Sequence, residues 1–204
     1  MFDYLIEQET SKRVVGVDEV GRGPLAGPVV SAAVCLDMND RIEGVNDSKK
    51  LTASVRDKLY HEITTKAVAW SVAYASPSEI DKINILQASL LSMKRALESL
   101  SFCWQYVLID GNQYIPGISK DKQRVIVEGD AKSASIAAAS IIAKVTRDKI
   151  MTEYHEKYPL YQFHLNKGYA TEFHRKCIAE HGLCEIHRRT FCETFLEYQI
   201  ELPI

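Results

Sequence analysis

The sequence predicts an α/β fold in which a mixed β-sheet is flanked by helices. Short β-branched apolar segments, separated by glycine and proline, have the composition of strands. Longer segments with apolar residues at helical spacing alternate with the later strands. Because hairpin-like strands come first and strand–helix alternation follows, we expect both antiparallel and parallel pairing. A length of 204 residues favours a single domain over residues 1–204.

The element boundaries follow from local signals. Strands are predicted at residues 13–20, 27–36, 67–75, 106–110 and 124–130. Helices are predicted at residues 52–66, 76–100 and 131–159. Thr52 is placed to cap the first helix, and a break in the second is expected near Asn84. The third helix is stopped by Pro159, and its Ala- and Ser-rich first half predicts close packing against another backbone. Residues 160–204 predict a loop followed by one or two helices.

Composition limits the function classes. The net charge is −2, so attraction to a nucleic acid would require a local basic patch. Its candidates are Lys144, Arg147, Lys167, Arg175, Lys176, Arg188 and Arg189, with scattered solvated charges as the alternative. We expect no membrane-spanning helix and no signal peptide, because no 18-residue apolar run or basic-then-apolar start occurs. The five cysteines have no even framework, which favours reduced thiols and a cytoplasmic location.

Four acidic residues lie at or near the ends of apolar strands: Asp18 and Glu19, then Asp110 and Asp130. Carboxylates held together near a core repel one another unless a cation neutralises them, and Mg²⁺ prefers such oxygen ligands. A turn role for Asp110 and a helix-capping role for Asp130 remain open alternatives. Neighbouring strand residues point to opposite faces, so Asp18 and Glu19 can share a site only if the strand bulges or ends there.

The glycine-rich segment "GRGPLAG" follows these acids. Its spacing does not fit a dinucleotide-binding fingerprint, and Pro24 and Pro28 oppose a helix start there. Bare backbone at Gly21 and Gly23 instead permits close approach by a ribose or a phosphate.

Eight segments in order, covering about residues 13–191, resemble the ribonuclease HII family. They are "GVDEVGRGPLAGPVVSAAV", "NDSKKL", "INILQASLLSM", "VLIDGN", "EGDAKSASIAAASIIAKVTRD", "KYPLYQF", "NKGYAT" and "EIHRRTF". The resemblance implies a ribonuclease H-like sheet with a helical C-terminal extension, in which residues of about 160–204 help to bind substrate. It also implies an Mg²⁺- or Mn²⁺-dependent endoribonuclease, expected as a monomer. Its substrates would be RNA/DNA hybrids and ribonucleotides embedded in duplex DNA, cut on the 5′ side to leave 3′-OH and 5′-phosphate ends.

The resemblance also assigns roles to residues. Asp18, Glu19, Asp110 and Asp130 match the catalytic, metal-binding carboxylates of a two-metal mechanism. Gly21, Arg22 and Gly23 match the loop that reads the 2′-OH. Tyr169 matches a tyrosine that stacks on the next sugar, with a core aromatic as the alternative. Lys49 matches a lysine near phosphate, with a solvated turn lysine as the alternative.

Some features separate this chain from its relatives or remain open. The related type 3 enzyme carries an extra N-terminal domain and a different residue between the loop glycines, so Arg22 favours type 2. Asn166 stands where many relatives have histidine. A zinc site at Cys177, His181, Cys184 and His187 has suitable residue types but unusual spacing. The tail "QIELPI" (199–204) has features of a peptide that docks on a sliding clamp, with a packed terminus as the alternative.

Overall fold

The computed structural model describes residues 5–8, 13–45, 48 and 51–197. Its strands are β1 (Val14–Val20), β2 (Val29–Cys35), β3 (Ala69–Ala75), β4 (Tyr106–Asp110) and β5 (Gln123–Ile126). Its α-helices are α1 (Leu5–Gln8), α2 (Ala53–Lys66), α3 (Pro77–Glu98), α4 (Ala134–Lys157), α5 (Phe163–Asn166), α6 (Glu172–His181) and α7 (Arg189–Glu197). No helix in these ranges is long and apolar enough to cross a membrane.

The five strands form one mixed sheet in the order β3-β2-β1-β4-β5. The central strand β1 is antiparallel to β2 and parallel to β4, while β2–β3 is antiparallel and β4–β5 is parallel. The predicted mixed sheet flanked by helices is therefore confirmed. Its ladder between β1 and β4 ends at the pair Val17–Ile109, while the ladder to β2 continues to Val20.

Helices cover both faces of the sheet. One face buries Val15 and Val17 against apolar side chains of α3, and the other buries Ala32 and Val34 against the alanines of α4. The Ala- and Ser-rich start of α4 lies directly on β1, as its composition predicted. A Cβ added to Gly16 would stand 2.2 Å from the carbonyl carbon of Ser135, so only glycine fits this contact.

Local signals placed most boundaries correctly. The Thr52 side chain accepts a hydrogen bond from the Val55 N–H and caps α2. Within α3, Asn84 has φ 66° and ψ 164°, which is the predicted break. The predicted strand 124–130 ends earlier, at Ile126, because Glu128 adopts the left-handed conformation and the chain then forms a 3-10 turn over Gly129–Ala131.

The C-terminal region is helical, as expected. A 3-10 turn over Pro159–Tyr161 follows α4, and α5, α6 and α7 come after it. Leu25 and Ala26 pack into the same apolar cluster as Phe163 and Ile178 of this region. The segment after β1 is therefore joined to the C-terminal helices through a shared core.

Candidate active site

The adjacent acids of β1 occupy a regular strand, so the predicted irregularity near Asp18 is a strand end and not a bulge: β1 ends at Val20, and its ladder to β4 already ends at Val17. Both residues keep their pairing with β2, Asp18 opposite Ala32 and Glu19 opposite Ser31. What ends is the ladder to β4, whose last pair precedes Asp18 by one residue. Asp110, the last residue of β4, therefore follows directly in register beside Asp18, at the spacing of neighbouring strands. Because β4 ends at Asp110, no residue of β4 pairs with Glu19.

Asp18 is a buried carboxyl group that faces α4. Its side chain is hydrogen-bonded to Ser140, and one of its oxygens accepts the Glu19 N–H at 2.7 Å. Only 5% of the residue is exposed. Burial raises the pKa of Asp18 well above its ordinary value, and the nearby charges of Glu19 and Asp110 raise it further.

Glu19 points to the opposite side of the strand, toward α3. It borders a small cavity of about 70 Å³ together with Arg22, Asp110 and Met93. Arg22 Nη1 donates to Glu19 Oε1 at 3.3 Å. Burial raises the pKa of Glu19, the Arg22 charge opposes that rise, and the Asp110 charge adds to it.

Asp110 and Asp130 are joined through one backbone contact. Asp110 Oδ1 accepts the Gly129 N–H at 2.7 Å, and Asp130 is the next residue in the 3-10 turn, only 7% exposed. The alternative that Asp130 caps the long helix is wrong, because Ser133 is the N-cap of α4. The alternative of a turn role for Asp110 is not supported either. Its side chain accepts a hydrogen bond from Gly129, which is 19 positions away, rather than from its own turn.

Asp18, Glu19, Asp110 and Asp130 are called here the acidic cluster. Their residue types fit a hard divalent cation, because every side chain offers only oxygen. The charges of Glu19 and Asp110 both raise the pKa of Asp18, and the charge of Asp110 also raises the pKa of Glu19. Across the described ranges, however, no three Asp, Glu, His or Cys side chains already stand in a metal-binding arrangement. Glu19 and Asp110 contact Arg22 and the Gly129 amide instead. The site is thus a set of repelling carboxylates that a cation would neutralise.

The segment Gly21–Pro28, called here the glycine loop, follows the acids and is anchored at its far side. Gly21 and Gly27 have φ of 97° and 86°, values that favour glycine. The Leu25 N–H donates to the Gly168 carbonyl at 2.8 Å, and the Arg188 N–H donates to the Leu25 carbonyl at 2.8 Å. The loop therefore joins the acidic cluster to the C-terminal helices.

Tyr169 borders the exposed part of the glycine loop. It is 45% exposed, so the alternative of a core aromatic is wrong. A Cβ added to Gly23 would lie 3.9 Å from Tyr169 Cε1, and His174 Nδ1 contacts the Tyr169 carbonyl at 2.8 Å. The ring thus faces solvent beside Gly23 while its backbone is held from behind. Lys49, the other predicted contact, lies outside the described residues.

Asn166 completes the turn before Tyr169. Its side-chain amide donates to the Tyr161 carbonyl at 2.6 Å, and its side-chain oxygen accepts the Gly168 N–H at 2.8 Å. Both ends of this side chain are engaged within the turn. The departure from the family pattern at this position is therefore absorbed by local hydrogen bonds.

The structure corrects the predicted basic patch at two positions. Arg147 and Arg188 have no exposed surface, so neither can belong to a solvent-facing patch. Their guanidinium groups bind backbone carbonyls of the glycine loop. Sequence analysis missed this role, because Arg188 and the exposed Arg189 are adjacent and carry the same local signal.

The residues considered as an alternative zinc site have other contacts. Cys177 Sγ donates to the Leu160 carbonyl, and His181 is exposed beside Glu180. His187 instead contacts Cys184 Sγ at 3.1 Å.

Comparisons with known proteins agree with this geometry. The sequence model of the family described as Ribonuclease HII matches residues 15–194. A Ribonuclease HII of Wolbachia pipientis wMel is 53% identical over 190 residues, covering 93% of this chain and 94% of that protein. The ribonuclease H2 structure from Pyrococcus horikoshii OT3 has a TM-score of 0.76 at 28% identity, covering 93% of this chain and 99% of that one. RNase HII of Archaeoglobus fulgidus, solved in a PCNA:RNase HII complex, has a TM-score of 0.69 at 28% identity, covering 86% and 93%.

The family match includes β1, β4, the turn with Asp130 and the C-terminal helices, and the relatives match over nearly their whole length. On this evidence the chain belongs to the ribonuclease HII family, a family of metal-dependent ribonucleases H.

Proposed function

We propose that this ribonuclease H, besides acting on the RNA strand of RNA/DNA hybrids, cuts duplex DNA on the 5′ side of embedded ribonucleotides. The products would carry 3′-OH and 5′-phosphate ends. The observation that carries the proposal is the adjacency of a largely buried acidic cluster and a glycine loop that exposes Arg22 and Gly23. The acidic cluster would serve hydrolysis, and the glycine loop would recognise the ribose.

In this proposal Asp18, Glu19, Asp110 and Asp130 hold divalent ions, either Mg²⁺ or Mn²⁺. Bound ions would activate the attacking water and stabilise the leaving 3′ oxygen by the two-metal mechanism. The chain contributes by holding carboxylates on two adjacent strands and a turn. The hydrogen bonds from Ser140 to Asp18 and from the Gly129 amide to Asp110 keep these groups oriented.

Recognition of the ribose would fall to the glycine loop and Tyr169. Only a 2′-OH distinguishes RNA from DNA at a single nucleotide, so its reader must approach closely and donate or accept one hydrogen bond. Gly23 is exposed and carries no side chain that would block this approach, whereas Gly21 is buried and a Cβ there would meet Arg147 behind the loop. Arg22 is half-exposed at the rim, where its charge suits an adjacent phosphate. Tyr169 would stack on the sugar beyond the ribonucleotide.

Other contacts extend the proposal. Residues of about 160–204 would form the part that binds the duplex, and Lys49 would contact phosphate. The tail 199–204, which lies outside the described residues, would dock on a sliding clamp; the solved PCNA:RNase HII complex from Archaeoglobus fulgidus supports a clamp interaction as such. Removing the tail should abolish clamp binding and leave hydrolysis intact. We expect the enzyme to act as a monomer in the cytoplasm.

The test uses a DNA duplex with one embedded ribonucleotide and a uniform RNA/DNA hybrid, each with Mg²⁺, with Mn²⁺ or with chelator. Wild type should cut both substrates only when a divalent ion is present. Asp18→Asn and Asp110→Asn should lose cleavage by several orders of magnitude. Asp40→Asn is the control, because Asp40 is exposed beyond the far end of β2 and pairs with Lys66.

Full activity of either active-site variant would refute the assignment of the metal ligands. Binding of both substrates by wild type without cleavage under any metal condition would favour a non-catalytic binding protein of the same fold.

A further inference from the structure

We propose that Arg147 and Arg188 are positioning residues that set the glycine loop so that its backbone N–H groups face the substrate. The inference rests on the proposed function, because it explains how the loop presents a reader for the ribose and its phosphates. Neither residue contacts solvent, so neither would bind substrate directly.

Arg188 holds both ends of the loop. Its three guanidinium nitrogens donate to three loop carbonyls: Nε to Gly27 at 3.0 Å, Nη1 to Arg22 at 2.9 Å and Nη2 to Gly21 at 2.5 Å. These bonds connect residues more than 160 positions apart. The fork geometry of the guanidinium, which lysine cannot reproduce, matches three carbonyls spread along a turn.

Arg147 holds the second half of the loop from α4. Its Nε donates to the Pro28 carbonyl at 3.0 Å and its Nη2 to the Ala26 carbonyl at 3.1 Å, while its Nη1 reaches the Lys167 carbonyl at 2.9 Å. A Cβ added to Gly21 would stand 2.2 Å from Arg147 Nε. Glycine at position 21 is therefore required by the guanidinium behind the loop as well as by the backbone angle.

The direction of these carbonyls fixes the direction of the N–H groups in the same peptide units. In a trans peptide the C=O and the following N–H point in opposite directions, and the described chain has no cis peptide bond. Because the carbonyls of Gly21 and Arg22 point inward to Arg188, the N–H groups of Arg22 and Gly23 point outward. Within the described ranges neither N–H donates to the protein, and both residues are exposed. Two adjacent amides are thus presented beside Tyr169.

The positive charges of Arg147 and Arg188 also favour binding of substrate at the exposed face of the glycine loop. Among the described residues, neither guanidinium has a carboxylate within ion-pair distance. Burial lowers the pKa of Arg147 to about 10 and that of Arg188 to about 9, so both remain protonated at neutral pH. Two buried positive charges are costly and raise the potential of the loop above them. This positive potential would attract an anionic phosphate backbone to the exposed face of the loop.

The experiment compares Arg188→Lys, Arg188→Met and Arg147→Lys with wild type on the single-ribonucleotide duplex. Arg13→Met is the matched control, because Arg13 is exposed at the opposite end of β1. For each variant, kcat and KM are measured per folded molecule, with the folded fraction taken from thermal melting, and Mn²⁺ affinity is measured separately.

We expect kcat/KM to fall at least about tenfold for Arg188→Lys and further for Arg188→Met, since one or more charge-assisted bonds to the loop are lost. Mn²⁺ affinity should stay at the wild-type value, because the acidic cluster is not altered. The control should match wild type. If Arg188→Met does not fold, the two lysine variants decide the question.

Unchanged kcat/KM in both lysine variants would overturn the inference, as would a loss that disappears once activity is expressed per folded molecule. A wild-type enzyme that fails to cut the single-ribonucleotide duplex would instead refute the proposed function.

Discussion

The buried pair His174–His187 makes the stability of this protein dependent on pH. The Cys184 N–H donates to His187 Nδ1 at 2.9 Å, so that nitrogen carries no proton in the neutral ring. His187 Nε2 then donates to His174 Nε2 at 3.1 Å, and His174 Nδ1 donates to the Tyr169 carbonyl at 2.8 Å. A proton added to His174 Nε2 would place two N–H groups against each other. The network therefore requires both rings to be neutral.

The magnitude follows from the pKa of His187. Burial first, and then the charge of a protonated His174, lower this pKa from 6.5 to about 4. Between pH 6.5 and about 4, His187 binds a proton in the unfolded chain but not in the folded chain. The free energy of unfolding therefore falls as pH falls below about 6.5. The contribution lost is about 2 kcal/mol at pH 5 and about 3 kcal/mol at pH 4.

The perturbation is His187→Gln, which keeps a neutral donor and acceptor but cannot titrate. Urea unfolding, followed by the fluorescence of Trp70 and Trp104, gives the free energy of unfolding at about pH 7 and pH 5. Wild type should lose about 2 kcal/mol more than His187→Gln over this interval. His181→Gln is the control, because it removes an exposed histidine outside the buried pair. Equal losses in wild type and His187→Gln would refute the assignment of a neutral buried pair.

Three further predictions concern packing, an ion pair and a helix cap. Gly16→Ala should lower the free energy of unfolding by about 3 kcal/mol in urea titrations, because its Cβ would overlap the backbone of Ser135. The pKa of Glu79 is lowered to about 2, first by its hydrogen bond from Arg95. Stability from this pair is present above about pH 4.5 and lost as pH falls toward 2; after discounting for solvent screening, Glu79→Gln should remove about 1 kcal/mol of that pH dependence in acid titrations. Asp81 accepts the first two backbone N–H groups of α7, so Asp81→Ala should cost about 1 kcal/mol by thermal melting.

Each of these predictions has an outcome that contradicts it. Gly44→Ala is the control for the packing prediction, because nothing lies within 4 Å of a Cβ there and only its φ of 77° adds strain. Similar losses at positions 16 and 44 would contradict the overlap. An acid titration of Glu79→Gln identical to that of wild type would contradict the ion pair, and an unchanged melting temperature for Asp81→Ala would contradict the cap.

The sequence predicted the features whose causes are local. The cap at Thr52 and the break at Asn84 depend on residues within one helical turn, so a short window contains the necessary information. Close packing of α4 on the sheet was also predictable, because only small side chains permit it. The strand 124–130 was overestimated because Glu128 takes a left-handed conformation that its residue type does not signal.

The candidate site was only partly predictable, because its geometry depends on contacts between residues far apart in the chain. The four acids stood out because carboxylates following apolar strands are unusual. Their juxtaposition, however, depends on where the ladder between β1 and β4 ends, which is a property of two strands about 90 residues apart. The roles of Arg147 and Arg188 depend on carbonyl groups more than 100 positions away along the chain. No local pattern distinguishes such an arginine from one at the surface.

The most direct test of the central claim is calorimetric titration of Mn²⁺ into wild type, Asp110→Asn and the control Asp40→Asn. The acidic cluster should bind Mn²⁺ in wild type and in the control, and the bound ion should raise their melting temperatures. Asp110→Asn should remain folded and lose at least about tenfold in affinity, since one charged oxygen ligand is removed. Mn²⁺ binding by Asp110→Asn with the affinity of wild type would contradict the claim that these carboxylates hold the metal.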